Sequence, residues 1–311
     1  VMQERTLASK VGGHGLHVCI WEQAAPWCMV QLVHGMSEHI QRYAAFARYL
    51  NQQGVLVAGC DNASHGKSRN PEDPWGYFGE KDGWAHLVED VDRVRQLLQQ
   101  EHPGVPLVLM GHSMGSFLAR SYAAQYGRGV AGFIFMGTAG RNPFLFGGKA
   151  IAAWEVCRGR GALPNPTLDK LVAGGYNRPF QPNRTPFDWL SKDTCQVDAY
   201  VADPACGFPF TAAGYRDLFD GLGSISSKSW ARQVPDVPIL VVSGQEDPVG
   251  GKEAKGVKQV ANWLTQTGHQ VELRIYPGDR HELLNETDKE QVMEDIGSFI
   301  KRAVQRREED L

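Results

Sequence analysis

Four almost unbroken apolar runs constrain the fold more than any other feature of this chain. They are "CMVQLVHG" from residue 28, "VLVAGCD" from 55, "VPLVLMG" from 105 and "VPILVVSGQED" from 237. A strand with one wet face alternates apolar and polar residues. A strand apolar throughout needs cover on both faces, as in the middle of a parallel sheet. "LHVCIWEQ" and "VAGFIFMGTA" add two more strands, and "QVELRIYPG" continues the pattern more weakly. Helical patterns stand between them. "EHIQRYAAFARYLNQQG" reads as a helix stopped by Gly54. "GWAHLVEDVDRVRQLLQQEH" carries Leu87, Val91, Val94, Leu97 and Leu98 on one face and ends before Pro103. A last helix is expected over 286–306. Parallel neighbours need crossovers of a dozen or more residues, so the fold class is α/β, a mostly parallel doubly wound sheet.

Residues 141–227 break this rhythm. They hold no convincing strand, many prolines and glycines, and aromatics that include Phe144, Trp154, Tyr176, Phe187, Trp189, Tyr200 and Phe208. A structureless loop of that length is improbable in a compact domain. The expectation is a helical cap inserted into a core made of residues 1–140 and 228–311.

Open parallel sheets gather reactive groups just beyond the C-terminal ends of their strands. "GHSMG" places Ser113 at such an end, between Gly111 and Gly115. A strand turning abruptly into a helix strains its apex residue and crowds the neighbours two positions away, which only very small residues survive. A serine hydroxyl is a weak nucleophile and needs a base. His281, in the loop after the last strand, is the candidate, and Asp247, after "VPILVVSG", would orient and charge-stabilise its imidazole. Each could singly be a turn or capping residue. Together, in the order Ser, Asp, His at three strand ends, they make a catalytic reading strong. The developing oxyanion needs preorganised donors. The backbone N–H of Met114 is one, and the N–H of Met36 the second, with Gly35 permitting close approach. His112 is expected to be a packed core residue. A histidine base implies a rate that falls on the acid side as His281 takes up a proton.

The remaining features narrow the class. A net charge of -3 with scattered basic residues gives no nucleic-acid surface. No apolar run is long enough to span a bilayer, and "VMQERTLASK" lacks a signal-peptide core. Six cysteines without C-x-x-C spacing read as buried free thiols and a cytoplasmic setting. His34, His39 and His65 lack ligand spacing, so no metal and no cofactor is expected.

With these residues assembled, the chain resembles the capped α/β-hydrolases of the monoacylglycerol lipase and lysophospholipase type, grouped with serine aminopeptidases. The stretches that carry the resemblance are "VHGMSEHIQRY", "DNASHGKS", "GHSMGS", "SGQEDPVG" and "RHELLNE". It implies Ser113 as nucleophile, Asp247 as orienting acid, His281 as base, Met36 and Met114 as oxyanion amides, and a helical lid between the core halves. The family often has a basic residue where this chain has Ala63. The expected activity is hydrolysis of carboxylic esters (monoacylglycerols, lysophospholipids or short-chain esters) through an acyl-enzyme. Transient contact with a membrane surface is compatible with that reading. An aminopeptidase or amidase with the same three residues is the alternative, and a non-catalytic binding protein the other. Oligomeric state is not legible.

Overall fold

The computed structural model describes residues 2–13, 15–143 and 145–309, so Phe144 lies outside the described residues. Strands β1 (Met2–Ala8), β2 (Gly15–Trp21), β3 (Cys28–Val33), β4 (Val55–Cys60), β5 (Leu107–His112), β6 (Gly132–Met136), β7 (Ile239–Gly244) and β8 (Val271–Tyr276) form one sheet. Its order is β1-β2-β4-β3-β5-β6-β7-β8. β1 and β2 pair antiparallel, β2 joins β4 antiparallel, and all later pairings are parallel. The helices are α1 (Ala44–Asn51), α2 (Gly83–Glu101), α3 (Met114–Tyr126), α4 (Leu145–Cys157), α5 (Pro166–Ala173), α6 (Thr194–Ala202), α7 (Ala212–Ile225), α8 (Lys228–Ala231), α9 (Lys255–Thr265) and α10 (Lys289–Glu309).

Every residue of β3, β4, β5, β6 and β7 is buried, as their unbroken apolar character demands. Odd and even positions feed two cores. Leu107 and Leu109 of β5 pack with α2, α3 and α9, while Val108 and Met110 pack with α1 and α10. Ala63 is fully buried in the first of these, where a charged side chain would need a partner.

One strand went unread and two expectations need correction. β1 was not legible because "MQERTLA" has no apolar face, and it is held by a seven-residue ladder to β2 at the sheet edge. The last helix starts at Lys289 rather than 286. Glu286 is taken out of it because its buried carboxylate accepts the N–H groups of Arg280 (2.7 Å) and Lys192 (2.9 Å). All six cysteines are free thiols, yet Cys157 and Cys195 are exposed and only Cys19, Cys28 and Cys60 are buried.

Between β6 and β7, residues 141–227 hold α4 to α7 and, among the described residues, no strand beyond a single Pro164–Thr211 bridge. Arg120 of α3 anchors the far end of this stretch. Its guanidinium donates to the carbonyls of Ala139 (2.8 Å) and Ile225 (2.6 Å) and stacks on Trp230. Among the described residues, no helix is long and apolar enough to cross a membrane.

Candidate active site

Reversal of the winding direction between β3 and β5 opens a crevice beyond the strand ends. Ser113 sits there, between β5 and α3, at φ 53° and ψ −123°. A non-glycine residue at positive φ stores on the order of 1–3 kcal/mol and persists only where its surroundings impose it. Here they do. A side chain at position 111 would run into the Gly115 carbonyl, and one at 115 into the carbonyls of Val33 and His34. The two glycines let α3 start directly against the end of β3.

His281 follows β8 and is 2% exposed, and Asp247, after β7, is 1% exposed. His281 Nδ1 donates to Asp247 Oδ2 at 2.9 Å. That carboxylate also accepts from the Val249 N–H (2.9 Å) and the Ser243 hydroxyl (3.3 Å), which fix its plane. With Nδ1 committed, Nε2 is the nitrogen left to exchange a proton. The imidazole lies between the rings of His112 and Trp189, at centroid distances of 4.6 and 5.0 Å. Ser113 and His281 line the same cavity, with no hydrogen bond between their side chains. Such contacts tighten when a substrate occupies the site.

Gly35 and Met36 follow β3. A side chain at Gly35 would come within 3.1 Å of Ser113 Cβ and 2.7 Å of Glu38 Oε1, so glycine lets this turn close over the serine. The N–H groups of Met36 and Met114 have no hydrogen-bond acceptor among the described residues. Two unsatisfied donors beside Ser113 are what a developing oxyanion requires. The structure therefore brings Ser113, His281, Asp247, Met36, Met114, Gly35, Gly111 and Gly115 to one place.

A buried polar network behind these residues escaped the sequence reading. Glu38 Oε1 accepts from the Gly35 N–H (2.6 Å) and Tyr43 hydroxyl (2.8 Å), and Oε2 from Arg42 (2.7 Å). Arg42 forms a second, bidentate pair with Glu282 at 2.6 and 2.7 Å. His112 is buried, as expected, but it is also a member of the network. Its Nε2–H donates to the His281 carbonyl (3.1 Å), and Nδ1 meets the Tyr43 hydroxyl at 2.8 Å. Because Tyr43 spends its proton on Glu38, Nδ1 must also carry one. Burial resists that charge, but the neighbouring Glu38 outweighs it and raises the His112 pKa. Burial likewise opposes ionisation of Glu38, yet His112 and Arg42 hold its pKa well below the carboxylate range. The turn bearing Met36, the Ser113 elbow and the His281 loop are thus tied to one charge cluster. Its only sequence signal was Glu38 and Arg42 four residues apart.

Of the other histidines, His39 groups with Asp203 and Cys206, and His17 with Glu4 and Cys19, with ligand atoms within 4.8 Å of one another, whereas His34 and His65 join no such group among the described residues. His34 accepts from the Asn62 N–H (2.8 Å), and burial lowers its pKa. His65 packs edge-on to His34, and burial pushes its pKa down to about 3. His39 pairs with Asp203 at 2.8 Å.

Above Ser113 lies a cavity of about 1090 Å³ lined by core loops and by residues of 141–227, among them Leu145, Tyr176, Trp189, Tyr200 and Phe219. Tyr200 donates to the Ser37 carbonyl (2.9 Å), as does the Gly207 N–H (2.9 Å), so this stretch also braces the Gly35–Ser37 turn.

Residues 24–288 match the family described as "Serine aminopeptidase, S33". A monoacylglycerol lipase of Mycolicibacterium smegmatis is 29% identical over 299 residues, spanning 93% of this chain and 94% of that protein. A carboxyl esterase from Bacillus coagulans, solved in complex with glycerol, superposes with a TM-score of 0.93 at 33% identity, over 98% of this chain and 99% of the other. A lipase solved in an open form gives 0.87 at 27% identity, over 98% and 99%. With its sheet, its serine elbow and this kinship, the chain belongs to the serine aminopeptidase S33 family of α/β-hydrolases.

Proposed function

We propose that this protein is a serine hydrolase of carboxylic esters, with Ser113 as nucleophile, His281 as general base and Asp247 as orienting acid. Kinship with a monoacylglycerol lipase and a carboxyl esterase supports the ester class. Ser113 Oγ attacks the acyl carbon and passes its proton to His281 Nε2, while Asp247 stabilises the imidazolium. The oxyanion accepts hydrogen bonds from the Met36 and Met114 amides. Collapse breaks the ester C–O bond, and the leaving alcohol takes the proton from His281. Water then loses a proton to His281, attacks the acyl carbon and frees the acid, restoring Ser113.

The observation that carries this reading is the pairing of His281 Nδ1 with Asp247 at 2.9 Å over a cavity shared with a strained Ser113. Residues 141–227 act as a cap over the core, supplying the apolar wall on which an acyl chain lies. Free thiols at Cys19, Cys28 and Cys60 suit a reducing cytoplasm. An aminopeptidase needs a carboxylate free to bind the substrate's amine. The acids lining the cavity are engaged: Glu38 and Glu282 with Arg42, and Asp169 with the Tyr215 hydroxyl at 2.6 Å. Esters are therefore favoured over peptides.

Turnover of p-nitrophenyl butyrate and of proline p-nitroanilide by the wild type and by Ser113→Ala tests the assignment. The expected result is ester hydrolysis at least tenfold faster than anilide hydrolysis, and no ester turnover by the variant while its circular dichroism spectrum is unchanged. Undiminished turnover in Ser113→Ala would overturn it.

A further inference from the structure

Three side chains of different donor chemistry meet beside the turn that carries Met36. His39 of the core and Asp203 and Cys206, just after α6, bring an imidazole nitrogen, a carboxylate oxygen and a thiol sulfur within 4.8 Å of one another. Asp203 and Cys206 stand three positions apart, a spacing at which paired ligands commonly hold zinc. The Cys206 N–H closes that turn on the Asp203 carbonyl at 3.0 Å. Asp203 Oδ1 accepts from the Ala205 N–H at 2.8 Å, which leaves Oδ2 to meet His39 Nε2, also at 2.8 Å. All three residues are half-buried, so an ion reaches them from solvent. His39 is 164 positions from Asp203, which is why no sequence spacing signals the group.

The donor set suits zinc. Zinc takes nitrogen, oxygen and sulfur at about 2.0–2.3 Å in a tetrahedron, which sets neighbouring donors about 3.3–3.6 Å apart. The separations here, 2.8 Å between His39 and Asp203 and at most 4.8 Å for the others, bracket that range. Three protein ligands leave the fourth position to water. A carboxylate and a thiolate together offset the double charge of the ion. Arg42, whose charge is felt at Cys206, is already neutralised by Glu38 and Glu282. Burial pushes the pKa of the Cys206 thiol up, so the metal must displace its proton to solvent. His39 must likewise carry its hydrogen on Nδ1 to offer Nε2.

The same junction already holds the cap against the core. Tyr200 and Gly207 donate to the Ser37 carbonyl, and the Ser37 hydroxyl donates to the Phe208 carbonyl at 2.6 Å. We propose that His39, Asp203 and Cys206 form a zinc site that clasps the cap to the turn carrying Met36.

Cobalt(II) takes the same tetrahedral donors and absorbs light, so it serves as the probe. The wild type is expected to bind one equivalent with a thiolate-to-cobalt charge-transfer band, which zinc abolishes. Outer-shell partners of a metal are worth about 10–100-fold in affinity, so losing a ligand should cost at least about a hundredfold. Cys206→Ser, His39→Gln and Asp203→Asn should each show that loss. The last two keep hydrogen-bonding groups at their positions, and circular dichroism checks that each variant is folded. Replacing the exposed thiols with Cys157→Ser and Cys195→Ser should leave the band in place. Zinc at about ten times its Kd should raise the melting temperature of the wild type by about 3 °C and leave Cys206→Ser unmoved. Absence of the band in the wild type overturns the proposal. So does its survival in folded Cys206→Ser, or its loss on replacing Cys157 and Cys195, which would assign the ion to a surface thiol. None of these readouts uses ester turnover, so their failure leaves the hydrolase reading standing.

Discussion

Asp247 and Glu38 are both buried carboxylates, yet the chain uses them differently. Asp247 meets the imidazole edge and so acts on its charge and tautomer. Asp247→Asn keeps the packing but favours the wrong tautomer. It is expected to lower kcat by about 10²–10⁴-fold with the fold intact, and steady-state kinetics with circular dichroism checks this. Glu38 touches no reacting atom in this account and works through the Gly35 N–H. Glu38→Gln retains an acceptor for that N–H, and kcat should fall only about tenfold. Glu38→Ala leaves Arg42 half-compensated in a buried site and should also cost about 3 kcal/mol in denaturant melts. An alanine variant with wild-type kcat would mean that the Gly35–Met36 turn holds itself. The two residues also differ in legibility. Ser113, Asp247 and His281 could be read from the sequence because strand ends and glycine spacing are local signals. The links from Glu38 to His112 and from Arg42 to Glu282 join residues 74 and 240 positions apart, and no local pattern records them.

Elements were readable where burial forces a periodicity. The fully covered strands and the amphipathic α2 emerged with starts within two residues, because each must hide an apolar face, although β6 and β7 were each read three residues past their C-terminal ends. β1 did not, since half-wet edges tolerate "MQERT". Helices between β6 and β7 were expected only as a class: α7 packs on α2 and α3, and α4 packs on α7, contacts that their own patterns do not record. One of those contacts carries a penalty. Asp217 of α7 is 3% exposed and its Oδ2 has no hydrogen-bond partner, so burial raises its pKa to about 6. A folded-state value above the unfolded one means stability is highest in acid and is lost as pH climbs from about 4 through about 6. Asp217→Asn should remove that loss and stabilise the protein at pH 7 by at most about 3 kcal/mol, measured by urea unfolding. Destabilisation by the substitution at pH 7 would show that the Arg216 guanidinium, which donates to Oδ1 at 2.8 and 3.0 Å, outweighs the cost of burial.

Across the whole molecule the sheet edge and the site respond to pH separately. His17 of β2 pairs with Asp61 at 2.9 Å and faces Glu4 at 3.3 Å. The Asp61 hydrogen bond outweighs burial and raises its pKa to about 10. With the unfolded value near 6.5, this stabilisation is complete below about pH 6.5 and drains away as pH rises toward 10. Melting temperature should therefore decline over pH 7–10, and less steeply in His17→Gln. Identical slopes would remove the edge from the explanation. In the proposed mechanism activity depends on a different place, the crevice where loops after β3, β5, β7 and β8 converge. The central claim is that Ser113 is the group made nucleophilic there. Intact-mass spectrometry and peptide mapping after exposure to a fluorophosphonate test it most directly. A single adduct on the peptide containing Ser113, formed far more slowly in His281→Ala, is the predicted result. An adduct on another residue, or labelling of Ser113→Ala at the wild-type rate, would contradict it.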